Sequence, residues 1–179
     1  MDLTATANKD YFEYRMQEME PIIDFLKNKI CLKGEKLISV GCGTAPEISM
    51  LDYDFSEKIG IDLNQKAIEF CKNQNKHAEF YCMHAIEYLE KEKADSVDCI
   101  LGMDIDLNIF PDALIEQSFK VLKKNGSIIL TERKDNLKIY GSYLLLPIIQ
   151  RIEKENNCDI LAFQFPNERD SLLVILQKK

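Results

Sequence analysis

The sequence predicts an α/β protein with a doubly wound, mostly parallel sheet that ends in an antiparallel hairpin. Three observations carry this prediction. Strand-like and helix-like runs alternate from Lys36 to Glu132, a Gly41-Cys42-Gly43 turn joins the first of those strands to a helix, and the last two apolar runs are separated only by Pro166-Asn167-Glu168-Arg169-Asp170. Alternation of strand and helix demands right-handed crossovers and a parallel sheet covered on both faces. A linker that short has no room for a helical crossover, so the final pair must run antiparallel.

The elements follow from local pattern. Residues 8–19 have helical propensity, with Tyr11, Phe12, Met16 and Met19 placed for one face, and Pro21 fits the first turn of a second helix reaching about Ile30. From there the pattern predicts strand 36–40, a short helix near 45–51, strand 58–61, helix 64–75, strand 78–82, helix 84–92, strand 97–102, helix 111–123 and strand 127–132. Asn64 and Asp112 are cap-type residues or first-turn acids, and Asn125-Gly126 supplies a left-handed stop before the strand at 127. A helix near 136–156 precedes the closing strands 158–165 and 171–177, which makes seven strands in all. In Tyr140 to Ile149 apolar residues come too densely for a one-faced surface helix, which suits core packing, a wall of a substrate pocket or a homodimer surface.

Composition narrows the function. With 179 residues, 46% of them hydrophobic, the chain can fill one α/β core and is short for two domains, so it reads as a single domain over 1–179: leading helices over 1–33, a ligand-binding core over 36–132, and an acceptor-side helix and hairpin over 133–179. A net charge of -7 opposes phosphate backbones and anionic membranes and disfavours nucleic acid as a partner. The six cysteines form no CxxC pair and sit in apolar runs, as reduced thiols in a cytoplasmic protein do, and the N-terminal stretch lacks a signal-peptide profile. Only His77 and His84 are histidines, without ligand spacing, so no metal site is expected.

The ligand signal lies at the first strand. Glycines at 41 and 43 allow a tight turn and let a ligand approach bare main-chain N–H groups. About twenty residues on, the next strand ends in Asp62, where a carboxylate can accept hydrogen bonds from both hydroxyls of a ribose. Cys42 has no sequence-local His or Asp to activate it, so it is not read as a nucleophile. Asp104, Asp106 and Asn108 follow the fourth strand, where they could orient an acceptor or take its proton, or form an ordinary acidic loop.

Five stretches in order resemble the motifs of the class I S-adenosylmethionine-dependent methyltransferases. LISVGCGTA is similar to the glycine-rich first motif, IGIDLN to the acidic second-strand motif, and FYCMHAIEYL to the turn beside the adenine. SVDCILGMDID resembles the fourth strand with its methyl-facing loop, and ALIEQSFKVLKKNGSIILTE the helix, RVLKPGG-like turn and fifth strand. The resemblance covers roughly 36–132 and implies a Rossmann-like fold, S-adenosylmethionine as cofactor and methyl transfer to a small-molecule nucleophile by in-line displacement. Carried over by position, it places the methionine part at Ser39, Gly41, Cys42 and Gly43, the ribose at Asp62, one adenine face at Leu63, the adenine edge at His84 and Ala85, and the rim near the methyl at Gly102 and Met103, with Asp104 the candidate catalytic residue. Tyr11, Tyr14 and Arg15 fall in the segment that family members often use as a lid.

The chain departs from the pattern at three positions. Ser39 stands where the family often has Asp or Glu, Ala45 replaces the third glycine, and His84 stands where Asp commonly meets the adenine amino group. These departures motivate two alternatives within the same fold, a non-catalytic binding or regulatory module and an enzyme acting on a protein or peptide. A nicotinamide-dependent oxidoreductase is the third alternative, but its fingerprint needs a glycine at position 46, which is Pro46.

Overall fold

A computed structural model of the chain describes residues 7–104, 111–132, 152, 158–165 and 171–179. Helix α1 (Lys9–Lys29) comes first, followed by β1 (Gly34–Val40), α2 (Pro46–Met50), β2 (Phe55–Asp62), α3 (Gln65–Gln74), β3 (Glu79–Cys82), α4 (Ala85–Leu89), β4 (Val97–Met103), α5 (Pro111–Val121), β5 (Leu122–Glu132), β6 (Cys158–Phe165) and β7 (Ser171–Lys178). The seven strands form one sheet in the order β3-β2-β1-β4-β5-β7-β6. Pairings from β3 to β5 are parallel, whereas β7 runs antiparallel to both β5 and β6. The expected doubly wound sheet and antiparallel closing pair are therefore both present.

Strand periodicity divides the apolar side chains between the two faces. Ile38, Val40, Ile59, Ile61, Ile100, Ile128 and Leu130 form one cluster with Leu114, Ile115 and Phe119 of α5. Their neighbours Leu37, Cys99, Leu101, Met103 and Ile129 form another with Met19, Ile22, Ile23 and Leu26 of α1. A period of two in a strand buried on both sides requires apolar residues at nearly every position, which is what β1 and β4 show. Ile100 is fully buried in β4. We expect Ile100→Val to lower the unfolding free energy in urea by about 1 kcal/mol, the usual effect of one deleted core methylene; an unchanged midpoint would show that this face is loosely packed.

Three elements differ from the sequence-based expectation. The two leading helices are one: α1 continues through Pro21, with Asn8 capping its start by accepting a hydrogen bond from the Tyr11 N–H at 2.8 Å. Proline removes the bond to the carbonyl four residues back, here that of exposed Gln17, where water can replace it, while Met19, Ile22, Ile23 and Leu26 bury one continuous face. Strand β5 begins at Leu122 rather than 127. Val97 pairs with Leu122 and Cys99 with Ser127, so residues 123–126 form a bulge around Asn125 at φ 65°, and the left-handed stop lies inside the strand. Helix α4 ends at Leu89 rather than 92. The helix expected near 136–156, including Tyr140 to Ile149, lies outside the described residues, as do Asp106 and Asn108.

Candidate active site

Strand order reverses at β1, whose neighbours β2 and β4 lead outward in opposite directions. The crevice beyond the C-terminal ends of such strands is where ligands bind in open α/β sheets. Val40, Asp62 and Met103 end the three strands there, and the glycine turn follows Val40 directly.

The turn is built on left-handed backbone. Gly41, Gly43 and Ala45 have φ of 65°, 51° and 52°. Ala45 thus takes the left-handed conformation that a third glycine would adopt more cheaply, by roughly 1 kcal/mol. The Cys42 N–H donates to the Ile61 carbonyl at 3.1 Å and the Ala45 N–H to the Cys42 carbonyl at 2.7 Å, pinning the turn to β2. Asp62 completes the link. Its Oδ2 accepts from the Gly43 N–H and its Oδ1 from the Asn64 N–H, each at 2.8 Å. Asn64 in turn caps α3 by accepting from Lys66 and Ala67. Each Asp62 oxygen keeps acceptor capacity for a further donor.

The surroundings leave open space and unmet polar capacity beside the turn. A Cβ built on Gly43 meets nothing within 4 Å, so the turn borders open space. Thr44 Oγ1 is buried in that turn without a hydrogen-bond partner among the described residues, a group that a polar ligand can satisfy. Leu63 is 65% exposed, a large apolar side chain left at the crevice mouth. His84 caps α4 through its backbone without a side-chain cap bond, and both His84 and Ala85 are half-buried. The Met83 N–H donates to the Asp62 carbonyl at 3.2 Å, which holds this turn beside Asp62. Cys42 and Cys71 are both buried. Both thiols donate to the Gly43 carbonyl, at 3.8 and 3.2 Å, and the neighbouring Cys71 thiol together with burial pushes the Cys42 thiol well above its ordinary range, so it stays protonated at neutral pH.

At the end of β4, Gly102 and Met103 are buried, and Asp104 has φ 59°. Asp104 Oδ2 accepts from Arg15 Nη1 of α1 at 2.8 Å, with side chains 9% and 8% exposed. Arg15 also reaches Glu18 Oε2 at 3.0 Å. Thr131 Oγ1 of β5 accepts from the Asp104 N–H at 2.8 Å and donates to Asp104 Oδ1 at 3.1 Å. The candidate base is therefore held by a guanidinium and a hydroxyl.

Sequence reasoning missed Glu47. This residue of α2 is 2% exposed, and its Oε1 accepts from the Ser39 hydroxyl at 2.5 Å. Burial pushes its carboxyl above the usual carboxylate range, against the opposing pull of Ser39, its own backbone N–H and Arg15. The available signal was a pair of facts: the acid expected at 39 is absent, and an acid stands eight residues later at the start of the adjoining helix.

The fold and crevice are those of the cofactor-binding α/β class, and comparison with known proteins identifies the family. A family described as methyltransferase domain matches residues 32–166. A ubiquinone biosynthesis O-methyltransferase of Pelagibacter ubique is 33% identical over 113 residues, covering 61% of this chain and 46% of that protein. The enzyme of the same name from Coxiella burnetii is 25% identical over 122 residues, covering 66% and 52%. The chain thus spans about half the length of these curated relatives. Its fold is also that of a SAM dependent methyltransferase from Archaeoglobus fulgidus, with a TM-score of 0.71 at 15% identity, covering 93% of this chain and 94% of that one. The chain belongs to the class I S-adenosylmethionine-dependent methyltransferase family.

Proposed function

We propose that this chain moves the sulfonium methyl of S-adenosylmethionine to a hydroxyl oxygen of a small molecule. The observation that carries the donor half is the Gly43–Asp62 arrangement, in which one carboxylate fixes the glycine turn and keeps acceptor capacity at the crevice. The acceptor half is supported by relatives named O-methyltransferases and by a net charge of -7, which opposes nucleic acid.

Bound at this site, S-adenosylmethionine supplies an already activated methyl, and the electron pair of the broken bond stays on sulfur. The protein then needs to align the acceptor behind the methyl and exclude water, with a base only where the acceptor must lose a proton. Backbone groups at Gly41, Cys42 and Gly43 hold the methionine part and Asp62 accepts from the ribose hydroxyls. Leu63 covers an adenine face, His84 and Ala85 border its edge, and Gly102 and Met103 form the rim near the methyl. Asp104, paired with Arg15 and Thr131, orients this rim rather than serving as a strong base. Arg15 and Tyr14 of α1 close the crevice from above.

The test is a transfer assay of the purified chain with isotopically labelled S-adenosylmethionine against hydroxylated aromatic and aliphatic small molecules, short peptides and RNA. Label on a small-molecule oxygen is expected. Label only on peptides would move the acceptor to the protein class. Cofactor binding with no transfer to any acceptor would favour a non-catalytic module.

A further inference from the structure

Four polar side chains from separate parts of the chain converge between the ends of β1 and β4. Ser39 is fully buried on the face of β1 that looks toward α1, and its hydroxyl is committed to Glu47 of α2. Arg15 of α1 pairs with Asp104 and Glu18 and lies within Coulombic reach of Glu47, as does Asp104. Among the described residues, one guanidinium therefore serves two paired carboxylates and a third nearby. If all three were ionised, the cluster would lack a cation, a costly state out of water.

Resting on the cofactor placement proposed above, we propose that Glu47 neutralises the α-ammonium of the cofactor's methionine part, taking over the charge that Ser39 cannot carry. Ser39 is a positioning residue in this arrangement, because its hydroxyl fixes the Glu47 carboxylate at the end of β1, the strand that leads into the turn at Gly41 to Thr44. The acid has thus moved from the strand to the helix, and the serine links the two positions.

A proton accompanies the exchange. In the free protein burial holds the Glu47 carboxyl above the usual carboxylate range; an incoming ammonium favours the carboxylate, so any proton Glu47 carries passes to solvent as the ligand binds. Among the described residues, the groups that act on Glu47 are Arg15 from α1, Asp104 beyond β4, the Ser39 hydroxyl and the Cys42 thiol. Only Glu47 among them combines a raised carboxyl with no ion pair within 4 Å among the described residues. The sign follows: below the raised value of the Glu47 carboxyl, affinity for an ammonium-bearing ligand rises with pH, and above it affinity levels.

The experiment is isothermal titration of the full chain between pH 5 and 8, in paired buffers of different ionisation enthalpy. The probes are S-adenosylhomocysteine and its analogue lacking the α-amino group. For the wild type, proton release and a rise of affinity with pH are expected with S-adenosylhomocysteine, and neither with the analogue. Glu47→Gln preserves shape and the Ser39 hydrogen bond; it should weaken S-adenosylhomocysteine about tenfold, as loss of a charge-assisted hydrogen bond does, abolish proton release, and leave the analogue within about twofold. Adding Ser39→Asp to Glu47→Gln should restore the amino-group preference. Equal losses for both probes, or no loss for either in a folded variant, would overturn the assignment to Glu47. A wild type that binds neither probe would overturn the cofactor placement, and this assignment with it.

Discussion

Arg15→Ala should destabilise the fold by about 3 kcal/mol, because it removes the guanidinium that two carboxylates, Asp104 and Glu18, share at a buried site. In the intact protein the Asp104 side chain is 9% exposed, with Thr131 as a neutral donor and Glu47 within Coulombic reach, so the lost positive charge is felt in a largely buried setting. The effect should exceed that of an exposed pair such as Lys9–Glu13, whose side chains are 74% and 58% exposed and which contributes little. Urea unfolding checks this directly. The double variant Arg15→Met with Asp104→Asn should recover more than half of the loss, since it removes both charges together. If Arg15→Ala unfolds within 1 kcal/mol of wild type, α1 is not held to β4 by this pair.

Asp62→Ala should weaken S-adenosylhomocysteine at least tenfold by titration calorimetry. Two effects add: the acceptor for the ribose hydroxyls goes, and the Gly43 and Asn64 N–H groups lose their partner, so the turn loosens. Hydrogen bonds to a charged group are individually worth about 1.5–3 kcal/mol, and tenfold in affinity is about 1.4 kcal/mol. Asp62→Asn keeps one side-chain acceptor and should fall between. Asp62→Ala should stay folded, because Asn64 still caps α3 and the Cys42 N–H still reaches Ile61. Unchanged affinity in that folded variant would remove Asp62 from the ribose site.

The sheet was legible because its physics is local: strand runs with β-branched residues, separated by helices long enough to cross over, admit few parallel arrangements. The closing hairpin was legible from a linker too short for anything else. The Gly41–Asp62 relationship was legible because both ends sit at strand termini within one β-α-β unit, where sequence spacing fixes spatial proximity. Glu47 and Thr131 were not placed in the site, and Arg15 was read only as part of a lid segment, since the partners of Arg15, Glu47 and Thr131 lie 89, 8 and 27 residues away on elements whose relative packing no local pattern specifies. Glu47 in particular reads as an ordinary acid in a helix's first turn until Ser39 is found beneath it. Pro21 misled for a related reason: the local rule for proline was outweighed by a tertiary face that runs unbroken from Met19 to Leu26.

The strand order also dictates when the sheet can be finished. Strand β7 lies between β5 and β6 although it comes after both in the chain, and among the described strands it is the sole partner of β6. As synthesis proceeds, β5 emerges with an unpaired edge, and β6 has nowhere to dock until Ser171–Lys178 has followed. The nascent chain therefore carries an open, apolar strand edge while more than 40 residues are still being added, the interval in which edge-to-edge association threatens a β-sheet. Insertion of the final strand joins the two, converting an exposed edge into the interior of the sheet in one step.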